Sequence, residues 1–240
     1  MKSNPKVQLH TLNRIKYKFV WDFQETLQKS LIDNKLSTFK KSKEATNVEL
    51  CGHLILCEHD PVYTLGKSGS IENLLNTKQE LEDSNIEFFK INRGGDITYH
   101  GPGQITGYLI LDLDHYYHDV HKFVRDIELS IVNVLSQYNL KGVRLDGYTG
   151  VWLQDQDNDI LYKKICAIGV HMSRWVSLHG FAFNIHPDLD YFSRIIPCGI
   201  VDVNKEVTSL ERELGKEVRI PEIIPSLTTS FSKVFGFDII

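Results

Sequence analysis

The chain contains no run of about 18 apolar residues, so no membrane-crossing helix is expected. Met1 to Asn13 carries neither an apolar signal core nor an Ala-x-Ala cleavage site, and it lacks the Arg- and Ser-rich amphipathic look of a transit peptide. Cysteine is scarce, with four residues at positions 51, 57, 166 and 198. Without an export signal they are expected to be reduced thiols of a cytoplasmic protein. Each is then a candidate core residue, metal ligand or nucleophile. No charge of one sign dominates: 27 Lys and Arg stand against 31 Asp and Glu, a net of -4. That balance excludes a protein that coats nucleic acid non-specifically and leaves room only for a local basic patch. Internal repeats, low-complexity tracts and long linkers are absent. So are two common phosphate fingerprints. There is no G-x-x-x-x-G-K-[ST] loop, and Gly101-x-Gly103-x-x-x-Gly107 does not have the G-x-G-x-x-G spacing.

What is present is ordinary globular usage: 42% hydrophobic and 24% charged residues in 240, which argues against wholesale disorder. A chain of this size buries roughly 70–75% of its unfolded surface, so it needs no disulfide or metal staple. Val7 to Leu12 reads as a short edge strand. Val20, Phe23, Leu27 and Leu31 predict a helix over 17–36, followed by a polar loop from Ser37 to Glu49. Leu50 to Cys57 reads as a strand stopped by His59-Asp60-Pro61, and Thr77-x-x-Glu80 as a capping box opening a short helix. Ile86 to Ile91 and Ile105 to Leu113 read as strands on either side of a glycine-rich stretch. Asp119 is placed to cap a helix running through Tyr138. Gly150 to Gln154 and Ile160 to Val170 form a strand pair around the polar tip Asp155 to Asp159, and Phe181 to Ile185 is a further strand. In the helical tail, Thr208-x-x-Glu211 offers a second capping box and Pro221 suits a first helical position. Strands outnumber helices without strict alternation, so the fold class is α+β, a mixed sheet flanked by helices in one domain over 1–240.

Cys51, His53, Cys57 and His59 look like a metal cluster at first sight. On a strand, however, the first and last would lie about 26 Å apart at roughly 3.3 Å per residue, too far for one ion. They read as half-buried strand residues, and no metal is expected. The segment Arg93-Gly-Gly-Asp-Ile-Thr-Tyr-His-Gly-Pro-Gly-Gln104 is the most unusual in the chain. Its glycines permit positive φ and let a ligand approach the backbone, whose N–H groups can hold an anion or a carbonyl oxygen. The competing reading is a tight strand connection. In Lys163-Lys-Ile-Cys-Ala-Ile-Gly169 the two lysines point to opposite faces, so one can be solvated while Lys164 enters a site. Cys166 shares the parity of Lys164 and is either a rival nucleophile or a small core residue. Cys198, between Pro197 and Gly199, suits a thiol on a sharp turn; the competing reading is a packed free cysteine.

Taken together, four segments resemble the lipoyl(octanoyl) transferase family. They are His59-x-Pro-Val-Tyr-Thr-Leu-Gly66, Arg93 to Gln104, Lys164-Ile-x-Ala-Ile-Gly169, and His179-Gly-Phe-Ala-Phe-Asn184 followed by Pro197-Cys-Gly199. The resemblance implies a fold related to the biotin and lipoate protein ligases. It implies transfer of an octanoyl group from octanoyl-acyl carrier protein to a lysine of a lipoyl domain. Such acceptors occur in 2-oxo acid dehydrogenase complexes and in the glycine-cleavage H protein. No cofactor, nucleic acid or membrane partner is implied. Carried over position by position, Cys198 is the acyl-accepting nucleophile and Lys164 the residue that lowers its pKa. The substrate-binding residues are Arg93, Gly94, Gly95, Asp96, Ile97, Thr98, Tyr99, His100, Ala167, Ile168, Gly169, Gly180, Phe181 and Ala182. The polar stretches Lys35 to Asn47 and Asp155 to Asp159 exceed what the motifs require, so the resemblance does not extend to the protein-docking surface.

A thioester donor departs as a thiolate and needs little acid catalysis. The chemistry needs a thiolate first and a neutral amine second, and one lysine beside one cysteine can serve both. Tyr63, Ile97, Tyr99, Ile168 and Phe181 are candidate walls for the acyl chain. His100 and His179 are candidates for contacting substrate or ordering loops. Three competing readings carry distinct signatures: an ATP-dependent ligase, a hydrolase pairing Cys198 with His100 or His179, and a non-catalytic carrier-binding module.

Overall fold

In the computed structural model, residues 4–40, 50–196 and 204–240 are described. The chain opens with β1 (Lys6–Ile15), α1 (Tyr17–Lys40), β2 (Leu50–His59) and β3 (Val62–Leu65). There follow α2 (Lys78–Asp83), β4 (Glu87–Lys90), β5 (Ile97–His100), β6 (Gln104–Leu111) and α3 (Val120–Ser136). The second half holds β7 (Gly142–Leu145), β8 (Tyr148–Gln154), β9 (Tyr162–Ser173), β10 (Val176–Asn184) and β11 (Lys205–Val207), then α4 (Leu210–Leu214), α5 (Ile220–Phe235) and β12 (Asp238–Ile239). Among the described residues no helix is long and apolar enough to cross a membrane.

The strands form a nine-stranded mixed sheet, in the order β12-β1-β2-β6-β10-β9-β8-β7, with β11 alongside β9. A small sheet, β4-β3-β5, stands apart from it. The α+β expectation is met. One face of the large sheet carries α3 and α5. The stripe Phe123, Ile127, Ile131 and Val134 packs there with Leu227 and Phe231 onto Leu109, Val151 and Ile165. The opposite face carries α1, whose Tyr17 and Val20 meet Ile55, Tyr108 and Ile110. β6 and β10 are buried at every residue. With cores on both sides, the polar–apolar alternation that marks a half-exposed strand has no reason to appear.

Local chemistry sets most boundaries. Asp119 caps α3 by accepting the Lys122 N–H at 2.9 Å. Thr77 and Glu80 form the expected reciprocal capping box. At the β8–β9 turn, the Asp155 carboxylate accepts the N–H groups of Asp157 and Asn158, at 3.0 and 3.1 Å. Several expectations shift. β1 is longer than Val7–Leu12 and pairs with β2 along its length, with two-residue β12 on its other side. α1 runs past Leu36 to Lys40, and residues 41–49 of the expected loop lie outside the described residues. The second capping box is displaced. Ser209 caps α4, while the Thr208 hydroxyl donates to Glu213 at 2.5 Å. Pro221 occupies the second position of α5, because Ile220 opens the helix. The glycine-rich stretch hides a strand, β5, whose four residues are too few for an alternation to stand out.

Candidate active site

A cavity of about 440 Å3 opens over the α1-side face of β6, β10 and β9, within the usual range for small-molecule sites. Its floor is built from small residues in register: Gly180 opposite Tyr108 and Gly169, and Ala182 opposite Thr106 and Ala167. These positions are small for steric reasons. A Cβ on Gly180 would come within 2.2 Å of the Gly107 carbonyl oxygen, and one on Gly169 within 2.8 Å of the Gly94 oxygen. Gly94 in turn donates its N–H to the Val170 carbonyl at 2.9 Å. The glycine-rich segment is thus laid directly on β9.

That segment is braced from inside. The Arg93 side chain donates to the Thr64 carbonyl at 2.6 Å, to the Thr64 hydroxyl at 3.0 Å and to the Gly94 carbonyl at 3.0 Å. Main-chain bonds run from Gly66 to Asp96, Lys67 to Arg93 and Ser68 to Gly95. Asp96 accepts its neighbour's N–H, that of Ile97, at 2.7 Å and is also bonded by Asn73. The stretch around Tyr63 to Gly66 and the stretch from Arg93 to His100 are therefore one unit folded on β3 and β5.

A buried polar chain joins this unit to the large sheet. Gln104 donates its amide to the Tyr99 carbonyl at 3.1 Å and to Asn184 Oδ1 at 3.0 Å. Its own oxygen is left to accept from His100 Nδ1 at 2.9 Å. The Thr64 hydroxyl, 3.3 Å away, then donates to His100 Nε2. Asn184 passes the chain on to the Thr208 carbonyl at 2.9 Å. Burial, with His59 and the Arg93 guanidinium nearby, pushes His100 down to about 3, so the ring is neutral. His179 is also driven down to about 3 by burial and by Arg93; its Nε2 meets Asn92 Oδ1 at 2.7 Å. His179 adopts φ of 65° within β10, and its N–H leaves the ladder for Gln24 Oε1 at 3.2 Å. Both histidines line the cavity and are held there by these contacts.

At the other end of the floor lies Lys164. Its Nζ sits 4.5 Å from the centre of the Trp152 ring, a contact worth about 1 kcal/mol to a partly exposed ammonium. Beside it, Lys205 lies 4.2 Å from the Tyr148 ring. Lys163 turns the other way and pairs with Asp155 at 2.6 Å and Glu213 at 3.6 Å. The opposed-lysine expectation holds. The parity of Cys166 does not. Val151 pairs with Cys166 but Trp152 pairs with Lys164, so Ile165 is an extra residue in β9. This bulge turns Ile165 and Cys166 together into the α3 core and leaves Lys164 on the cavity face with Ala167. Cys166 is fully buried, and burial pushes its thiol far up. It is a core residue.

All of the expected binding residues line the cavity except Tyr99. Tyr99 faces away and stacks on Tyr191, with ring centroids 4.6 Å apart. Tyr63 joins that cluster by donating its hydroxyl to the Tyr191 carbonyl at 2.8 Å. Of the candidate walls, Ile97 and Ile168 remain; the Phe181 ring belongs to the opposite face, where it stacks on Phe231 of α5 with centroids 5.1 Å apart. The cavity also takes in Tyr17, Gln104, Thr106, Tyr108, the Gly147–Thr149 segment and Asn184, which sequence reasoning did not single out. Gln104 and Asn184 end the matched segments, a signal that was available. Cys198 lies outside the described residues. The residues of the supposed metal cluster are buried rather than half-buried. Among the described residues no group of three or more His, Cys, Asp or Glu could hold a metal ion.

Residues 16–232 match the lipoyl protein ligase A/B catalytic domain. The chain belongs to this family. An octanoyltransferase of Christiangramia forsetii is 48% identical over 237 residues, covering 98% of each chain. One from Flavobacterium johnsoniae is 46% identical, covering 99% of this chain and 100% of its own. With such relatives along its whole length, the protein is an acyltransferase of the lipoyl(octanoyl) transferase family. Among solved structures, the bipartite lipoate protein ligase of Thermoplasma acidophilum superposes with a TM-score of 0.69 at 17% identity, covering 100% of this chain and 86% of that one. Lipoate-protein ligase A bound with ATP superposes at 0.63 and 17% identity, covering 99% and 89%. The fold is that of the lipoate protein ligases.

Proposed function

We propose that this protein, as one catalytic domain over 1–240, transfers an octanoyl group from octanoyl-acyl carrier protein to a lysine of a lipoyl domain. The transfer passes through a thioester on Cys198, in the cytoplasm and without a cofactor. The acceptors are lipoyl domains of 2-oxo acid dehydrogenase complexes and the glycine-cleavage H protein. The observation that carries the reading is the placement of Lys164. A bulge turns it onto the same face as a trough of glycine and alanine backbone, where an acyl chain can lie.

In the resting enzyme Lys164 is an ammonium and Cys198 a thiolate. A cation about 4 Å from a thiolate offers about 4 kcal/mol at an effective dielectric near 20. Half of that lowers a thiol pKa by about 1.5 units. The thiolate attacks the donor carbonyl, the acyl–sulfur bond of the donor breaks, and the departing thiolate takes a proton from Lys164. The charge of Cys198 is now gone and Lys164 is neutral. As the acceptor lysine's neutral amine attacks, the amide forms, Cys198 leaves as thiolate and Lys164 takes the amine's proton. The resting pair is restored and every proton is accounted for. Ile97 and Ile168 stand beside the chain, each buried methylene contributing about 0.8 kcal/mol.

Burial lowers the proton affinity of His100 and His179, which disfavours either as the base of the hydrolase reading. Both nitrogens of His100 are engaged with Gln104 and Thr64, so it has none to spare as a base. The ligase reading is separated by leaving ATP out. Octanoyl carrier protein and an apo lipoyl domain, mixed with enzyme and no nucleotide, should yield an octanoyl amide on the acceptor lysine. Product only on adding ATP and free octanoate would instead make the protein a ligase.

A further inference from the structure

The bulge that aims Lys164 is held by a carboxylate from another layer. Glu128, in the middle of α3, is fully buried. Its Oε1 accepts the Gly150 N–H at 3.0 Å. Its Oε2 is paired with Arg125 at 2.7 Å and Arg144 at 3.4 Å. Both arginines are partly exposed, so the network spans from solvent to the underside of β8. A buried charge is costly unless its oxygens are engaged, and one of these is spent on a single main-chain N–H.

Gly150 is where β8 is irregular. Leu145 pairs with Tyr148 and Val143 with Trp152, so two steps along β7 face four along β8. Gly150 has φ of 124°, and a Cβ there would come within 2.5 Å of the Cys166 carbonyl and 3.6 Å of Lys164 Cε. The irregularities of β8 and β9 are therefore nested. β8 expels a backbone N–H from its ladder, and Glu128 receives it. The same segment presents Gly147, Tyr148 and Thr149 to the cavity.

We propose that Glu128 is a positioning residue: through Gly150 it fixes the paired bulges that turn Lys164, instead of its neighbours in β9, into the cavity. This rests on the role proposed above for Lys164. A merely structural carboxylate would affect stability alone. A positioning one acts on the thiol through Lys164, and its effect vanishes when Lys164 is gone.

The test is the pH dependence of iodoacetamide alkylation of Cys198 in the full chain, with Cys198→Ser as the blank and melting temperature recorded for each variant. Lys164→Ala should move the alkylation midpoint up by about 1.5 pH units. Glu128→Asp keeps a charge for the arginines but withdraws the oxygen from Gly150, and it should move the midpoint up by about half as much. Combining Glu128→Asp with Lys164→Ala should shift the midpoint no further than Lys164→Ala alone. A Glu128→Asp protein that melts earlier with an unmoved midpoint overturns the inference, as does an additive shift in the double variant. Should Lys164→Ala itself leave the midpoint in place, the proposed dyad fails and this inference with it.

Discussion

Lys164 and Cys166 stand two residues apart on one strand and point to opposite faces of the sheet. Strand periodicity would put them together. The extra residue Ile165 separates them, so the lysine faces the cavity and the thiol is sealed against α3. Cys166→Ser should therefore cost stability, of order 1–3 kcal/mol for a buried hydroxyl, while leaving octanoyl transfer largely intact. Cys198→Ser should nearly abolish transfer. Activity assays and thermal melts of the two variants decide this. The reverse pattern would put the nucleophile at Cys166.

Lys164→Arg separates charge from proton transfer. Within the proposed dyad the guanidinium keeps a cation for the thiol but does not release its proton at neutral pH. Acylation of Cys198 by octanoyl carrier protein should stay measurable, while aminolysis of the acyl-enzyme should fall by about 100-fold or more. Single-turnover rates for the two halves give the comparison. Equal losses in both would mean that the lysine acts by charge alone.

The floor glycines should not be interchangeable. Gly180→Ala drives a methyl group into the Gly107 carbonyl, backbone against backbone, in the centre of the sheet. It should destabilise by about 1–3 kcal/mol. Gly169→Ala meets the Gly94 oxygen at 2.8 Å, on a segment that forms the cavity wall. It should displace that wall and raise KM for the octanoyl donor more than it lowers the melting temperature. Denaturant melts and steady-state kinetics distinguish the two.

Acid should destabilise the protein through its buried imidazoles. Unfolded, His100 and His179 take up a proton near 6.5; folded, each stays neutral until about 3. Between those values the unfolded chain binds more protons, so stability is full above 6.5 and falls as the pH drops. Each such histidine contributes a slope of about 1.4 kcal/mol per pH unit. Urea melts at pH 7, 6 and 5 should show the decline, and His100→Gln should make it shallower. A flat profile would mean that these rings are charged in the fold.

Much of the framework was legible because its signals are local. The stripe from Phe123 to Leu135 gave α3, and Thr77 with Glu80 gave the start of α2. The binding segments were legible because the backbone contacts at Gly66, Gly169 and Gly180 admit no side chain. Features that depend on a neighbouring strand were not. No pattern in Lys164-Ile-Cys166 announces a bulge, since Ile165 and Cys166 are both apolar enough for the core. Strand β5 lay hidden among glycines, and Tyr99 shares a motif with His100 while facing away from the cavity. Tyr17 begins the periodic run of α1, yet stacks on His100 of β5 at 5.8 Å, a meeting no spacing encodes.

In the proposed reaction two bulky proteins use one small site in turn, and a stored acyl group lets the first leave before the second arrives. Incubating the enzyme with octanoyl carrier protein alone, then measuring the intact mass and locating the adduct, tests this most directly. The account predicts one added octanoyl group on Cys198, removable by hydroxylamine and passed to a lipoyl-domain lysine without ATP. Product formed with no adduct ever trapped on Cys198, together with intersecting rather than parallel double-reciprocal lines, would mean direct transfer in a ternary complex and contradict it.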